Sequence, residues 1–155
     1  MRSKISLEQF LEQTATRGTW YGGGSAAALS CALSAALMEK LASRPQTIRT
    51  ARTIRRRCTR LVHEDARVFA KAVYAMSSHD RRRVQGAMKA AIAVPQEIST
   101  SAQRLRRISR QVGNALRPHF RVDLRCADAL AQAADESARA LVLTNLAWLK
   151  QLQLR

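Results

Sequence analysis

The 155-residue chain is poor in acidic residues: 11 Asp and Glu stand against 27 Lys and Arg, which gives a net charge of +16. This imbalance excludes a neutral surface without an anionic partner as the default interpretation. It favours binding of a nucleic acid, an anionic membrane or a polyanionic small molecule. The chain also lacks a long apolar run, because its longest uncharged apolar stretch, 26–38, is shorter than the ~20 residues that a membrane-spanning helix needs.

Cysteine is scarce as well, and Cys31, Cys58 and Cys126 are odd in number, widely spaced and without a CxxC pair. This pattern indicates neither a disulfide framework nor a zinc ribbon. The histidines show no HxxxH or HxH spacing, so we expect no metal site. No signal peptide is apparent after Met1, because an acid-bearing segment follows in place of an apolar run. These absences favour a soluble protein in the reducing environment of the cytoplasm.

The excess positive charge lies in the middle of the chain. Residues 44–125 hold 20 cations and 5 anions, whereas residues 1–43 sum to +1 and residues 126–155 to zero. Cations recur there at three-, four- and seven-residue steps: Arg49, Arg52, Arg56, Arg60, Arg67 and Lys71. Such a stripe is usually the solvated face of a helix, so the stripe alone does not identify a partner.

Apolar residues follow a helical period in almost every segment, and no segment alternates with a period of two. We therefore predict a single all-α domain over residues 1–155, a bundle of about five to six helices. The predicted helices cover 6–15, 25–41, 46–77, 82–93, a fifth segment that Pro95 opens or kinks into and that reaches about 116, and 122–153. Ser25, after three glycines, is the expected N-cap of the second helix. That helix is rich in small residues, which predicts a central position with neighbours on several sides.

Two predicted apolar faces contain polar residues. Asp65 completes the apolar stripe of the third helix, and Asp123 and Asn145 fall within about 40° of the centre of the apolar face of the last helix. A carboxylate on a core face costs several kcal/mol unless it is paired, and its pKa is then expected to shift. Both aspartates are therefore candidate functional residues. A structural role is the alternative, since Asp123 could cap its helix and Asp65 could pair with an internal cation.

Four motifs, in this order along the chain, carry a resemblance to a known family. Ser6-Leu7-x-x-Phe10 precedes Gly22-Gly23-Gly24-Ser25-Ala26-Ala27-Ala28-Leu29; Leu61 to Phe69 contains Asp65; Ala87-Met88-Lys89 precedes Val94-Pro95; and Asp123-Leu124 precedes Asn145-Leu146 by 22 residues. They resemble the SLxxF…PTPGGGSxAAL, LxxxDxxAF, ALKxAxxVP and SDL…INL motifs of the cyclodeaminase/methenyltetrahydrofolate cyclohydrolase family. The resemblance covers residues 6–146 and implies the all-helical fold of that family.

The resemblance implies an enzyme of folate one-carbon metabolism. Members convert 5-formiminotetrahydrofolate to 5,10-methenyltetrahydrofolate and ammonia, or hydrolyse the methenyl bridge to the 10-formyl form. Both reactions move protons around a tetrahedral carbon between two nitrogens, which a carboxylate with a raised pKa can do. The resemblance assigns acid/base catalysis to Asp123, and Asp65 would be a second, orienting carboxylate.

The remaining site residues also follow from the resemblance. Gly22, Gly23, Gly24 and Ser25 would form a backbone loop that holds an anionic or carbonyl-bearing part of the substrate. Lys89 would meet a glutamate carboxylate of the folate, in its monoglutamyl or polyglutamylated form. Asn145 would bind substrate or satisfy a core carbonyl. The family implies a homodimer and no metal or cofactor beyond the tetrahydrofolate substrate.

Two other functions stay open. The chain has Thr19-Trp20-Tyr21 where the family has PTP, and Val122 where it has serine, which favours a catalytically degenerate scaffold as one alternative. The other is a module that binds nucleic acid or another polyanion through the Arg-rich middle segment. Few aromatic residues lie near that charge, chiefly Phe69 and Tyr74, so stacking on single-stranded bases is less favoured.

Overall fold

A computed structural model describes residues 5–77, 80–113 and 116–153. Those ranges hold no strand, and their elements are α1 (Leu7–Ala15), α2 (Gly23–Leu41), α3 (Pro45–Met76), α4 (Arg81–Gly113), a short 3-10 helix (Pro118–Phe120) and α5 (Arg121–Gln153). The prediction of an all-α fold is confirmed.

Helices α2 to α5 form an antiparallel four-helix bundle. The side-chain bonds that fix the helix directions join Glu39 to Arg55, Arg57 to Glu97, Ser34 to Ala127 and Asn145 to Ala91. Helices α2 and α5, for example, are antiparallel because Ser30 bonds to Leu130, whereas Ser34, further along α2, bonds to Ala127, which is earlier on α5. The apolar stripes of the helices face one another and bury a core whose largest members are Met38, Leu61, Met88, Ile98 and Leu105.

Helix α2 is central, as its small residues predict, because it packs against α3, α4 and α5. Ala28, Cys31 and Ala35 are fully buried. The hydroxyl groups of Ser30 and Ser34 donate to the carbonyls of Leu130 and Ala127 on α5, at 2.9 and 2.7 Å. A hydroxyl on so short a side chain reaches a neighbouring backbone only where the two helices lie close together.

Three local predictions need correction. Ser6, predicted as the first residue of a helix, is instead the N-cap of α1 and forms a reciprocal capping box with Gln9. Ser25, however, is not an N-cap: Gly22 occupies that position, α2 begins at Gly23, and Ser25 is buried within the first turn. Pro95 does not end a helix either, since α4 runs through it from Arg81 to Gly113.

In the part of the chain that the structure describes, no helix combines the length and the apolar character that crossing a membrane requires.

Candidate functional site

A small cavity of about 130 Å³ lies where the loop between α1 and α2 meets the bundle. Its walls come from that loop and from all four helices of the bundle. They are formed by Thr19, Trp20, Tyr21, Gly22, Gly23, Gly24, Asp65, Val68, Phe69, Ala91, Pro95, Leu141 and Asn145. The cavity thus brings together most of the site residues that the sequence predicts. The glycines, Asp65 and Asn145 line it, and Ser25 directly follows the lining residue Gly24.

The carboxylate of Asp65 lies against the first turn of α2. It accepts a hydrogen bond from the Ser25 hydroxyl at 3.1 Å and another from the Ser25 backbone N–H. A side chain at Gly24 could not be accommodated, because its Cβ atom would lie 2.6 Å from Oδ2 of Asp65. Gly22 and Gly23 have open space around them. The three glycines predict a close approach of a ligand to the backbone. The group that approaches the backbone at Gly24 is instead the Asp65 carboxylate of the chain itself.

Burial raises the pKa of Asp65 above its usual range, since removal from water penalises the charged carboxylate. The two hydrogen bonds from Ser25 favour the charged form and oppose this shift. Desolvation is the larger effect, so the net pKa shift is upward. An aspartate of this kind can take up and release a proton closer to neutral pH than an exposed one.

Aromatic side chains form one wall of the cavity and extend outward from it. The ring of Trp20 lies 6.3 Å from that of Phe69 and 5.5 Å from that of Tyr74, measured between centroids. Tyr21 packs edge-on against Phe10, and its hydroxyl is 2.8 Å from Nδ1 of His63. The loop that the glycines follow is thus held against α3 by aromatic contacts.

Asn145 closes the floor of the cavity and compensates for Pro95. A proline has no N–H, so Pro95 leaves the carbonyl of Ala91, four residues earlier, without its helical hydrogen bond. The side-chain amide of Asn145 donates to that carbonyl at 2.9 Å, and the residue is only 8% exposed. This is the structural alternative that the sequence left open for Asn145, and it places the amide in the wall of the cavity as well.

Asp123 lies far from the cavity. It is in the first turn of α5, where its Oδ2 atom is 3.1 Å from Nζ of Lys40 and its side chain is 41% exposed. Asn145, which lines the cavity, is 22 residues further along the same helix, or about 33 Å at 1.5 Å per residue. The expectation that Asp123 and Asp65 act together on one carbon is therefore not met within one chain.

Lys89 does not line the cavity either: it is exposed on α4, two residues before the lining residue Ala91. A second, larger cavity of about 430 Å³ lies at the opposite end of the bundle, near the turn between α2 and α3, and its lining includes Arg44, Arg117 and Phe120. Asp123 lines neither cavity.

Sequence reasoning missed several residues that the structure places at or near the site. Trp20, Phe69 and Pro95 line the cavity, and the aromatic pair just before the glycines was the available signal. A buried carboxylate, Asp135, accepts hydrogen bonds from Ser99 at 2.5 Å and Gln103 at 3.2 Å between α4 and α5, outside the cavity. The sequence did not indicate that Asp135 is buried. It directly follows Ala134 of the predicted apolar stripe, and consecutive residues of a helix point about 100° apart, so Asp135 falls outside that stripe.

No group of three or more His, Cys, Asp or Glu side chains among the described residues is arranged to hold a metal ion. The polar residues that line the cavity are Asp65 with its carboxylate, Asn145 with its amide, Thr19, Trp20 and Tyr21, together with the backbone of the glycine loop. This set can transfer a proton and can bind a ligand through hydrogen bonds.

Comparisons with known proteins agree with this architecture. Formiminotetrahydrofolate cyclodeaminase from Thermotoga maritima has a solved structure that matches the chain with a TM-score of 0.85, at 21% sequence identity, over 97% of this chain and 83% of that one. At this identity the likeness establishes the fold alone. Among curated proteins, no sequence matches the chain significantly. The family described as formiminotransferase-cyclodeaminase matches residues 6–155. Because this match covers nearly the whole chain, the chain belongs to that family.

Proposed function

We propose that the protein is an enzyme of folate one-carbon metabolism in which Asp65 is the acid/base group. The observation that carries this proposal is the placement of Asp65: a partly buried carboxylate with a raised pKa in the wall of a cavity, beside the glycine loop. A family whose members act on folates gives the substrate class.

The proposed chemistry is proton transfer at the carbon between N5 and N10 of the folate. In the cyclohydrolase reaction, water adds to the methenyl carbon, the bond from that carbon to N5 breaks, and N5 takes up a proton, which leaves the formyl group on N10. In the cyclodeaminase reaction, N10 attacks the formimino carbon and the exocyclic nitrogen leaves as ammonia. Each reaction needs one group that removes a proton from the attacking atom and returns one to the leaving nitrogen, which Asp65 can supply.

The neighbouring residues would bind and orient the substrate. The backbone of Gly22 and Gly23 is open to the cavity and would hold a polar edge of the pterin. Ser25 would position Asp65, and Asn145 would hold Pro95 and Ala91 in the floor. Lys89, on the surface of α4, would attract the glutamate end of the folate and not its reacting end. The reaction uses no cofactor beyond the folate itself.

The volume of the cavity supports a further proposal, a homodimer. Pockets that enclose drug-sized ligands have volumes of about 300–1,000 Å³, so a cavity of about 130 Å³ can enclose only part of a folate. Leu143, Leu146 and Trp148 are 68%, 43% and 37% exposed on the C-terminal half of α5, which lines the cavity with Leu141. Leu143 and Leu146 lie about 60° apart on the side of α5 that faces away from Leu141 and the cavity, so a second copy packed there would cover them. A sedimentation mass equal to that of one 17.2 kDa chain would refute this.

The test compares three Asp→Asn variants that change one carboxylate each. Wild-type protein is expected to speed the loss of the near-ultraviolet absorbance of 5,10-methenyltetrahydrofolate, or to release ammonia from 5-formiminotetrahydrofolate. Asp65→Asn should lower kcat by about 10²- to 10⁴-fold, the usual contribution of general acid–base catalysis. Asp128→Asn, which removes a surface carboxylate on α5, is the matched control and should retain activity.

Asp123→Asn separates the two assignments of the acid/base group. Full activity in Asp123→Asn together with its loss in Asp65→Asn supports the proposal, and the reverse pattern refutes it in favour of the assignment that the motif suggests. Wild-type protein that binds folates in a calorimetric titration without turning over either substrate would instead identify the degenerate scaffold. Activity should also fall as the pH drops through the raised pKa of Asp65.

A further inference from the structure

One row of cations runs along the outer side of α3. Five side chains form this α3 basic row, and all of them are exposed: Arg49, Arg56, Arg60, Arg67 and Lys71. At 100° per residue they fall within an arc of about 60°, and at 1.5 Å per residue they extend over about 33 Å. The row is therefore straight and extends along about two-thirds of α3, whose 32 residues are about 48 Å long.

The carboxylates near the row are already bound by another arginine. Arg57 donates two hydrogen bonds to Glu97, both at 2.7 Å, and a third to Glu64 at 2.8 Å. This contact lowers the pKa of Glu97 and keeps it charged and occupied. Apart from Glu64, Glu97 and Asp65, helices α3 and α4 contain no acidic residue. Asp65 points to the other side of α3, toward Ser25.

No ion pair with a described carboxylate involves any member of the α3 basic row. Arg49 bonds to the neutral side chain of Gln46, at 2.8 Å. Helix α4 adds exposed cations next to the row: Arg83 borders the same surface depression as Lys71, and Arg104 and Arg107 lie further along α4. Arg60 contributes, after Arg57, to the lowered pKa of Glu97, so part of its charge is balanced by that carboxylate. The charge of the other row members is not balanced by an ion pair with a described carboxylate.

The row is separate from the cavity. Asp65 lies about 150° around α3 from its members at 100° per residue, so steering of a folate toward Asp65 does not account for it.

The surface also carries few apolar groups: of the exposed large apolar side chains, only Tyr74 lies on α3 and none lies on α4. Binding at a membrane surface requires an apolar face that enters the lipid, and the apolar face of α3 is buried in the bundle.

We propose that the α3 basic row binds the phosphate backbone of a double-stranded nucleic acid, without reading its sequence, as an activity independent of the cavity. Arginine side chains suit this role because the planar guanidinium group bonds to two phosphate oxygens at once. The length of the row, about 33 Å, is close to one turn of B-form DNA, about 34 Å. The scarcity of exposed aromatic side chains favours a duplex over a single strand, whose bases need stacking partners.

The experiment titrates a labelled mixed-sequence DNA duplex with the full chain and measures the fluorescence anisotropy of the label. The duplex has about 21 base pairs, which is two turns of the double helix. Five phosphate contacts predict that log K falls with log salt with a slope of about −4.5, or about 500-fold weaker binding between about 50 and 200 mM salt. The triple variant Arg56→Gln/Arg60→Gln/Arg67→Gln should have a slope shallower by about 3.

The matched control removes the same amount of charge elsewhere. Arg125→Gln/Arg139→Gln/Lys150→Gln changes three exposed cations of α5, so its net charge equals that of the row variant. Circular dichroism of both variants checks that the helices are retained. The proposal expects the control to keep the wild-type salt slope.

Three outcomes would overturn the proposal. Equal losses in the two variants would mean that total charge, and not the row, drives binding. Absence of duplex binding at low salt would exclude the activity. Binding to phosphatidylserine vesicles with no binding to the duplex would identify a membrane as the partner.

Discussion

Pro95 and Asn145 should be coupled in their effect on stability, because one leaves a carbonyl free and the other occupies it. Asn145→Ala removes the donor to the buried Ala91 carbonyl. An unsatisfied buried acceptor costs about 1–3 kcal/mol, so the free energy of unfolding should fall by about that amount. Asn145→Asp should lower the free energy of unfolding further, since a carboxylate oxygen would face the Ala91 carbonyl oxygen in place of a hydrogen-bond donor.

The double mutant separates this explanation from a simple loss of packing. Pro95→Ala restores an N–H group that can donate to Ala91 within α4, so the Asn145 amide is no longer the only available donor. We therefore expect Asn145→Ala to cost about 1 kcal/mol less in the Pro95→Ala background than in the wild type. Pro95→Ala alone has two opposing effects on stability: it removes the proline penalty of about 3 kcal/mol inside a helix, and it leaves a cavity where the fully buried proline ring packs.

Urea denaturation followed by circular dichroism gives the four free energies of the cycle. Asn145→Ala combined with Ser34→Ala is the control, because Ser34 bonds to a different carbonyl, that of Ala127. Distant sites add within about 0.3–0.5 kcal/mol. A Pro95–Asn145 coupling energy no larger than that of the control pair would refute the reasoning, because the two residues would then not share the Ala91 carbonyl.

Two further predictions concern the Asp65 carboxylate. Gly24→Ala should destabilise the fold by about 1–3 kcal/mol, the usual cost of overpacking, whereas Gly23→Ala should be neutral or stabilising because the space around Gly23 is open. The urea midpoints of the two variants measure this difference. Adding Asp65→Ala to Gly24→Ala should recover most of the lost stability, because it removes the carboxylate that the new methyl group meets. Because the pKa of Asp65 is raised in the folded state, its contribution to stability is fully present below the unfolded value of about 3.9 and is lost as the pH rises through the folded pKa. The difference in unfolding free energy between wild type and Asp65→Asn should therefore decline with rising pH in that window, and a flat difference would contradict the shift.

The sequence predicted the helices well because their apolar residues repeat with the helical period along most of their length. It failed at Pro95, since the residue that compensates for the missing hydrogen bond, Asn145, lies 50 positions away. It also placed Asp123 and Asp65 in one site, whereas a single chain holds them apart. The helical period gives the direction in which Asp123 points, toward the bundle, but not its distance along the bundle axis from Asp65. That distance depends on how the helices are aligned against each other, which no single helix encodes.

The candidate site shows the same limit. The glycines, Asp65 and Asn145 were found because glycine runs and polar residues on apolar faces are visible in the sequence. Trp20 and Phe69 line the cavity as well. They were not identified because an aromatic residue next to a loop is equally compatible with the core, with the surface and with a binding site.

The contact between Gly24 and Asp65 has a consequence for reading related sequences. Since the carboxylate occupies the space that a side chain at position 24 would need, the two positions cannot diverge independently. A relative that keeps the aspartate must keep the glycine, whereas one that has replaced the aspartate with a small residue is free to lose it. A glycine at this position is therefore a sequence marker for the buried carboxylate that packs against it.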